Sequence, residues 1–179
     1  RIQVYAYGTG LRLLDHRDVM VSNAAPRLIA RWGLRSERGR LAVPVTHIVP
    51  AAIMGSGLGK SDVARGDYDI QMFDAATIRQ FRLGGLRFGD LVAVADADNR
   101  FGRSYRRDHV AIGCIVHGES SVAGHGPGVQ ALLAGPSAAF SLRHEPGANI
   151  ASLLGIRRAA TPRQVLPLAR TELTTIRTA

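Results

Sequence analysis

Two stretches of the chain concentrate side chains that can do chemistry. "GDYDIQ" (66–71) sets Asp67 and Asp69 two residues apart, and an extended backbone puts both carboxylates on one face. There they could hold a cation or divide into acid and base. "HGESSVAGHGPG" (117–128) supplies His117, Glu119 and His125 around a glycine-rich turn. If 110–117 pairs with 121–125 as a hairpin, the two imidazoles approach one another. Two imidazoles with carboxylates are the donor types of a zinc centre. His47 in "VPVTHIVP" (43–50) is a third histidine at a strand end. Against this, a lone histidine is commonly structural, and Asp and Asn in tight loops commonly bond their own backbone. The second caution applies to "DADN" (96–99), where Asp98 follows a strand end as a further ligand-binding candidate.

A third stretch resembles a phosphate-binding loop. "IMGSGLGKSDVARGDYDIQ" (53–71) contains "GSGLGKS", but Gly55 and Gly59 are separated by three residues, where the phosphate-loop template requires four. The segment after Ser61 also lacks the apolar spacing of the helix whose N-terminus would hold the anion. What remains is a loop in which glycine lets backbone approach a ligand closely. Ser56 and Gly57, with Gly124 and Gly126 of the histidine loop, are therefore expected to contact a ligand. Lys60 or Arg65 is expected to stabilise a developing oxyanion, with Asp67 or Asp69 as base. The loops carrying His47, Lys60, Asp67, Asp69, Asp98, His117 and His125 are expected to converge on one pocket. Other metal signatures fail: an EF-hand counted from Asp96 meets Arg100 and Phe101 at its fifth and sixth positions. The zinc-deaminase pattern needs a C-x-x-C that one cysteine cannot supply.

The elements that must position these groups are mainly strands. Strand-like runs occupy 2–7, 41–49, 90–96, 109–117 and 138–143, bounded by Gly, Pro, Asn or Asp. Short helices fit 25–34, 74–83 with Asp74 as N-cap, and 147–156. Strands that follow one another without regular crossover helices predict a mainly-β, layered sandwich or barrel-like fold. Strand is expected to exceed helix by at least about two to one. The spacing predicts a mainly-β domain over 1–156 and a basic tail over 157–179, extended or partly mobile.

The 179 residues can bury a proper core. No apolar run approaches the roughly 20 residues of a membrane helix, so no membrane partner is expected. Cys114, the one cysteine, lies in the apolar run "VAIGCIVHG" (110–118) and is expected to be a buried, inert thiol of a reducing cytoplasm. The net charge of +9 rests almost wholly on arginine, because Lys60 is the sole lysine, and much of it sits in the tail. Aromatics interleaved with basic residues, as a single-strand platform needs, occur only in "RFGRSYRR" (100–107). Nucleic acid is therefore not the expected partner.

The segments "AYGTGLRLLD" (6–15), "VPVTHIVPAAIMGSGLG" (43–59), "ARGDYDIQ" (64–71), "LRFGDLVAVADADNRFGRSY" (86–105) and "AGHGPGV" (123–129) closely resemble a bacterial and archaeal family, domain-of-unknown-function family 4438. The likeness runs from Arg1 to about Ile156 and implies layered β sheets. It also implies that the chain corresponds to the C-terminal portion of a longer architecture. The absence of an initiator Met points the same way. A partner is therefore expected: an N-terminal segment or second chain, in a homo- or hetero-oligomer. A more distant likeness is to acetamidases and formamidases, whose motif order is similar to "VTHIVP", "RGDYDIQ" and "VHGESSVAGHGPG". It implies a metal set of His47, Asp69, His117 and His125, although His125 stands where an acid is expected.

Two functions follow as expectations. One is metal-assisted hydrolysis of a small amide or imide C–N bond, with a divalent cation, zinc first, as cofactor. The other is a non-catalytic module that binds a small-molecule ligand or pairs with a separate N-terminal segment.

Overall fold

The computed structural model describes residues 11–118 and 122–156. The expected strand at 2–7, the basic tail and Glu119 lie outside the described residues.

The architecture is mainly β, with 41% strand and 17% helix among the described residues. In chain order the elements are β1 (Met20–Val21), α1 (Pro26–Arg31), β2 (Arg35–Glu37), β3 (Arg40–Val45), β4 (His47–Pro50), β5 (Tyr68–Asp69), α2 (Ala75–Gln80), β6 (Leu91–Asp98), β7 (Ser104–His117), β8 (Gly128–Pro136), β9 (Phe140–His144) and α3 (Ile150–Leu153). One sheet runs β1-β8-β7-β6-β4 with β5 beside β8; the other runs β2-β3-β9. The first sheet curls, and a single bridge from Met54 to Ile70 joins the segment after β4 to β5 without closing a barrel.

The central strands are apolar on both faces because both are covered. Along β6 and β7, Leu91, Ala93, Val110, Ile112 and Cys114 face one core, which includes Trp32, Val43 and Phe140 of the second sheet and α1. Their neighbours Val92, Val94, Ala111 and Ile115 face another core with Val49, Tyr68, Ile70 and Val129. A two-residue side-chain period thus divides one sheet between two cores. Ile112 is fully buried. Ile112→Ala is expected to lower stability by about 2–5 kcal/mol in urea unfolding, because the wall of a two-sided core cannot collapse onto the cavity.

Differences from the sequence expectation are local. The run 41–49 is two strands, because Thr46 turns the chain and spends its N–H and hydroxyl on the Leu91 carbonyl. Residues 122–125 are not a strand: β7 pairs instead with β8, a run that is apolar but for Gln130 and lacks the alternation that marks a half-buried strand. The helices are shorter than their periodic segments. Asp74 caps α2, accepting from the Ala76 and Thr77 N–H groups, and Asn149 caps α3. No helix among the described residues is long and apolar enough to cross a membrane.

Candidate metal centre

Three adjacent strands meet in two successive cross-strand rows. In the first, Tyr68, Val129 and Ile115 pair across β5, β8 and β7, and all three side chains enter the second core. In the next, Asp69, Gly128 and His117 pair across the same strands. The register shifts between Ile115 and His117, so Val116 is an extra residue on β7. Without that bulge Val116 would stand opposite Gly128; with it the imidazole does, which is how bulges re-aim a side chain. Asp67, two residues before Asp69, adds its carboxylate on the same side.

The result is a compact donor group. His117 Nε2 lies 2.7 Å from Asp67 Oδ2 and 3.3 Å from Asp69 Oδ1. One donor atom from each of Asp67, Asp69 and His117 falls within 4.8 Å of the others. Ligands about 2.0–2.2 Å from a shared ion are themselves roughly 3 Å apart, so the spacing suits one cation. Gly128 makes it possible: a Cβ there would overlap Asp67 Oδ2 and the His117 ring.

The protonation pattern points the same way. His117 Nδ1 lies 2.9 Å from the Gly118 carbonyl, which can only accept, so Nδ1 carries the hydrogen. A neutral ring would then aim the Nε2 lone pair at two carboxylates. Either a proton or a metal ion must stand between them. The Gly118 bond first, and after it the charges of Asp67 and Asp69, raise the His117 pKa, with desolvation opposing them more than either charge alone adds. Asp67 Oδ2 is buried and has no aligned hydrogen-bond donor. Its one close partner is the His117 ring.

His125 joins through Asp69. Its Nδ1 lies 3.0 Å from Asp69 Oδ2, which also accepts from the Gly126 N–H at 3.3 Å. His125 is therefore not a member of the three-donor group but orients one of its carboxylates, as partners behind metal ligands do. Its Nε2 has no partner among the described residues.

The glycine loops are held to the donor group by backbone hydrogen bonds. Gly55 N–H donates to the Asp69 carbonyl, Asp69 N–H donates to the Ser56 carbonyl, and Ser56 N–H donates to the Gly124 carbonyl. Added Cβ atoms would overlap backbone oxygens at Gly55, Gly57 and Gly126, so close approach explains these glycines. Arg103, which composition and spacing do not single out, holds the loop from inside. It is 5% exposed, and its guanidinium donates to the carbonyls of Asp62 and Arg65, both at 2.8 Å, and to those of Gly57 and Asp67.

The remaining expected site residues stand apart from the donor group. His47 Nδ1 meets Thr46 Oγ1 at 3.0 Å and Nε2 meets the Arg82 carbonyl at 3.2 Å; burial lowers its pKa. Arg65 contributes its carbonyl to Arg103, and its N–H turns onto Asp62. Lys60 and Asp98 line a separate cleft. Asp98 is paired with Arg100 at 2.9 Å and Arg106 at 3.0 Å. The single convergent pocket expected for all seven loops is thus divided, and Asp67, Asp69, His117 and His125 form one part of it. Cys114 is buried, and burial pushes its thiol up to about 12.

Asp98 gives a pH prediction. The hydrogen bond from Arg100 first, then its charge and Arg106, hold the carboxyl at about 2. A folded-state value below the ordinary one of about 4 means stability that is full above pH 4 and lost as pH falls toward 2. Asp98→Asn is expected to flatten the acid-unfolding curve in that window; an unchanged curve would show that the pairing contributes nothing.

The model of the C-terminal part of a family described as a domain of unknown function, DUF4438, matches residues 31–154. A solved structure described as that of TM1086 is similar at 40% sequence identity with a TM-score of 0.75, covering 80% of this chain. The chain spans 50% of that structure's length. No curated protein matches the chain.

Proposed function

The chain belongs to the DUF4438 family, carrying its C-terminal domain, and from that premise we propose that it holds a divalent metal ion, zinc first, at Asp67, Asp69 and His117 for the hydrolysis of small amide or imide C–N bonds. One observation carries the proposal: three donors from two separate segments lie within 4.8 Å of one another. Structural zinc sites use four protein ligands and are closed, whereas catalytic ones use three and leave a position for water or substrate. Here the His117 side chain is 47% exposed, which fits the open kind.

A metal ion bound there would lower the pKa of water and polarise a carbonyl. The chain's own residues would do the rest. Asp67 and Asp69 would supply anionic ligands, and the Gly118 carbonyl would fix the tautomer that presents His117 Nε2. Donation from His125 Nδ1 to Asp69 leaves His125 Nε2 as an acceptor, so His125 takes the role of general base expected of Asp67 or Asp69. The choice of C–N bonds rests on the motif order shared with acetamidases and formamidases.

The test is metal content and zinc titration of the purified protein, followed by turnover of a panel of small amides and imides with and without chelator. One equivalent of zinc and chelator-sensitive turnover are expected. Asp69→Asn should weaken zinc binding by at least about 10–100-fold. Zinc binding without turnover of any panel member would favour the non-catalytic binding module, and no zinc binding would overturn the centre itself.

A further inference from the structure

The basic stretch 100–107 and the lysine of the glycine loop, separate in sequence, form one cleft whose lining includes none of the donor group. It has a volume of about 320 Å³ and is lined by Lys60, Ser61, Phe101, Gly102 and Arg106, with Asp98 at its wall. The Asp98 charge is already met by Arg100 and Arg106, leaving an excess of positive charge. Lys60 Nζ has no ion-pair or hydrogen-bond partner among the described residues. The main-chain N–H groups of Ser61 and Gly102 likewise have none.

Gly102, at φ +133°, brings the two segments together: a Cβ there would lie 3.1 Å from the Lys60 carbonyl. Arg103 N–H donates to that carbonyl at 2.8 Å, and Gly59 N–H donates to the Arg103 carbonyl at 2.7 Å, so the loop carrying Lys60 is fixed rather than trailing. Free backbone donors beside a lysine are the elements of an anion cradle. At the rim, Phe101 is 85% exposed, with the Arg100 guanidinium 5.8 Å from its ring centroid. A large apolar ring held outward at the rim of a cleft that carries an unpaired lysine suits a planar ligand group.

The geometry points to a binding site for a small phosphate monoester that carries a planar ring, such as a nucleoside monophosphate. Lys60 with the Ser61 and Gly102 N–H groups receives the phosphate, and Phe101 receives the ring. The loop does so without the spacing of a nucleotide-hydrolysing phosphate loop, so binding and not hydrolysis is assigned. The site is independent of the metal reading, sharing no side chain with it.

The experiment is calorimetric titration of the chelator-treated chain with inorganic phosphate, adenosine monophosphate and adenosine. Wild type is expected to bind the monophosphate more tightly than phosphate, and adenosine weakest. Lys60→Ala should weaken both phosphate-bearing probes about tenfold, the value of one charge-assisted contact. Phe101→Ala should abolish the advantage of the monophosphate over phosphate while leaving phosphate affinity unchanged. Failure of phosphate to bind, or unchanged affinity in Lys60→Ala, overturns the site. An eight-nucleotide single strand binding more than about 100-fold tighter than the monophosphate, with steep salt dependence, would overturn the small-ligand assignment in favour of nucleic acid. Repeating the titration on Asp69→Asn, which should bind as wild type does, keeps this result separate from that of the metal centre.

Discussion

Gly128→Ala is expected to weaken zinc binding by more than about 100-fold while leaving the fold intact. The three atoms nearest the added methyl belong to the ends of two side chains, Asp67 Oδ2 and the His117 ring. Both can swing away, so the strand ladder survives, but they are two of the three donors, and moving them disperses the group. Losing two donors at about 10-fold or more each gives the expected factor. Gly126→Ala is the contrasting control, because its Cβ would overlap the Ile70 backbone oxygen and something in the main chain would have to shift. Zinc titration and thermal melts of both variants decide the matter. Gly128→Ala should melt near wild type without binding zinc, and Gly126→Ala should melt well below it. If Gly128→Ala binds zinc as wild type does, the row Asp69–Gly128–His117 is not the metal site.

Arg103→Ala is expected to be the most damaging change outside the cores, costing about 3 kcal/mol or more. The guanidinium is nearly fully buried and donates to four carbonyls of one loop, from Gly57, Asp62, Arg65 and Asp67. Hydrogen bonds from a charged donor contribute about 1.5–3 kcal/mol each, and removing the donor leaves its acceptors to water or to nothing. Part of the loss is recovered as the loop opens to solvent, which keeps the total below the sum. Arg103→Lys should not rescue the protein, since one ammonium cannot reproduce a planar fork. Urea unfolding gives the cost. Hydrogen exchange should show that lost protection starts in 57–67, and a loss below 1 kcal/mol would refute the role.

The parts of this structure legible in the sequence were those written in local patterns. Apolar, β-branched runs bounded by turn residues mark the central strands at 90–96 and 109–117, and Asp74 marks a helix start because capping is a local bond. Asp67 and Asp69 could be placed on one face from their spacing alone. The pairing of β7 with β8 was hidden, because "GVQALLAG" is buried on both faces and carries no period. Arg103 was hidden for a different reason: among 22 arginines, nothing local distinguishes the one that faces inward. His47 shows the converse case, a histidine with the right flanking residues whose ring nitrogens lie against the Thr46 hydroxyl and the Arg82 carbonyl. Gly128 was visible as one of several glycines in "GHGPGV", but its meaning requires the register that sets it between Asp69 and His117.

The extra residue at Val116 carries a consequence for ancestry. In this sequence the bulged pairing, rather than a regular one, puts an imidazole instead of a valine opposite Gly128, and the bulge lies past the last β7 residue that either core needs. Loss of the Val116 codon would remove the bulge and set His117 opposite Gly128 by regular pairing, whereas loss of the His117 codon would leave Val116 there, and in either case the β7 residues of both cores are retained. A scaffold of this kind can gain or shed its chemistry in a single genetic step. Relatives with an aliphatic residue opposite this glycine in place of the imidazole would then be expected to share the architecture and not the proposed metal chemistry, so the identity of the residue at this strand end, more than overall similarity, would sort the family.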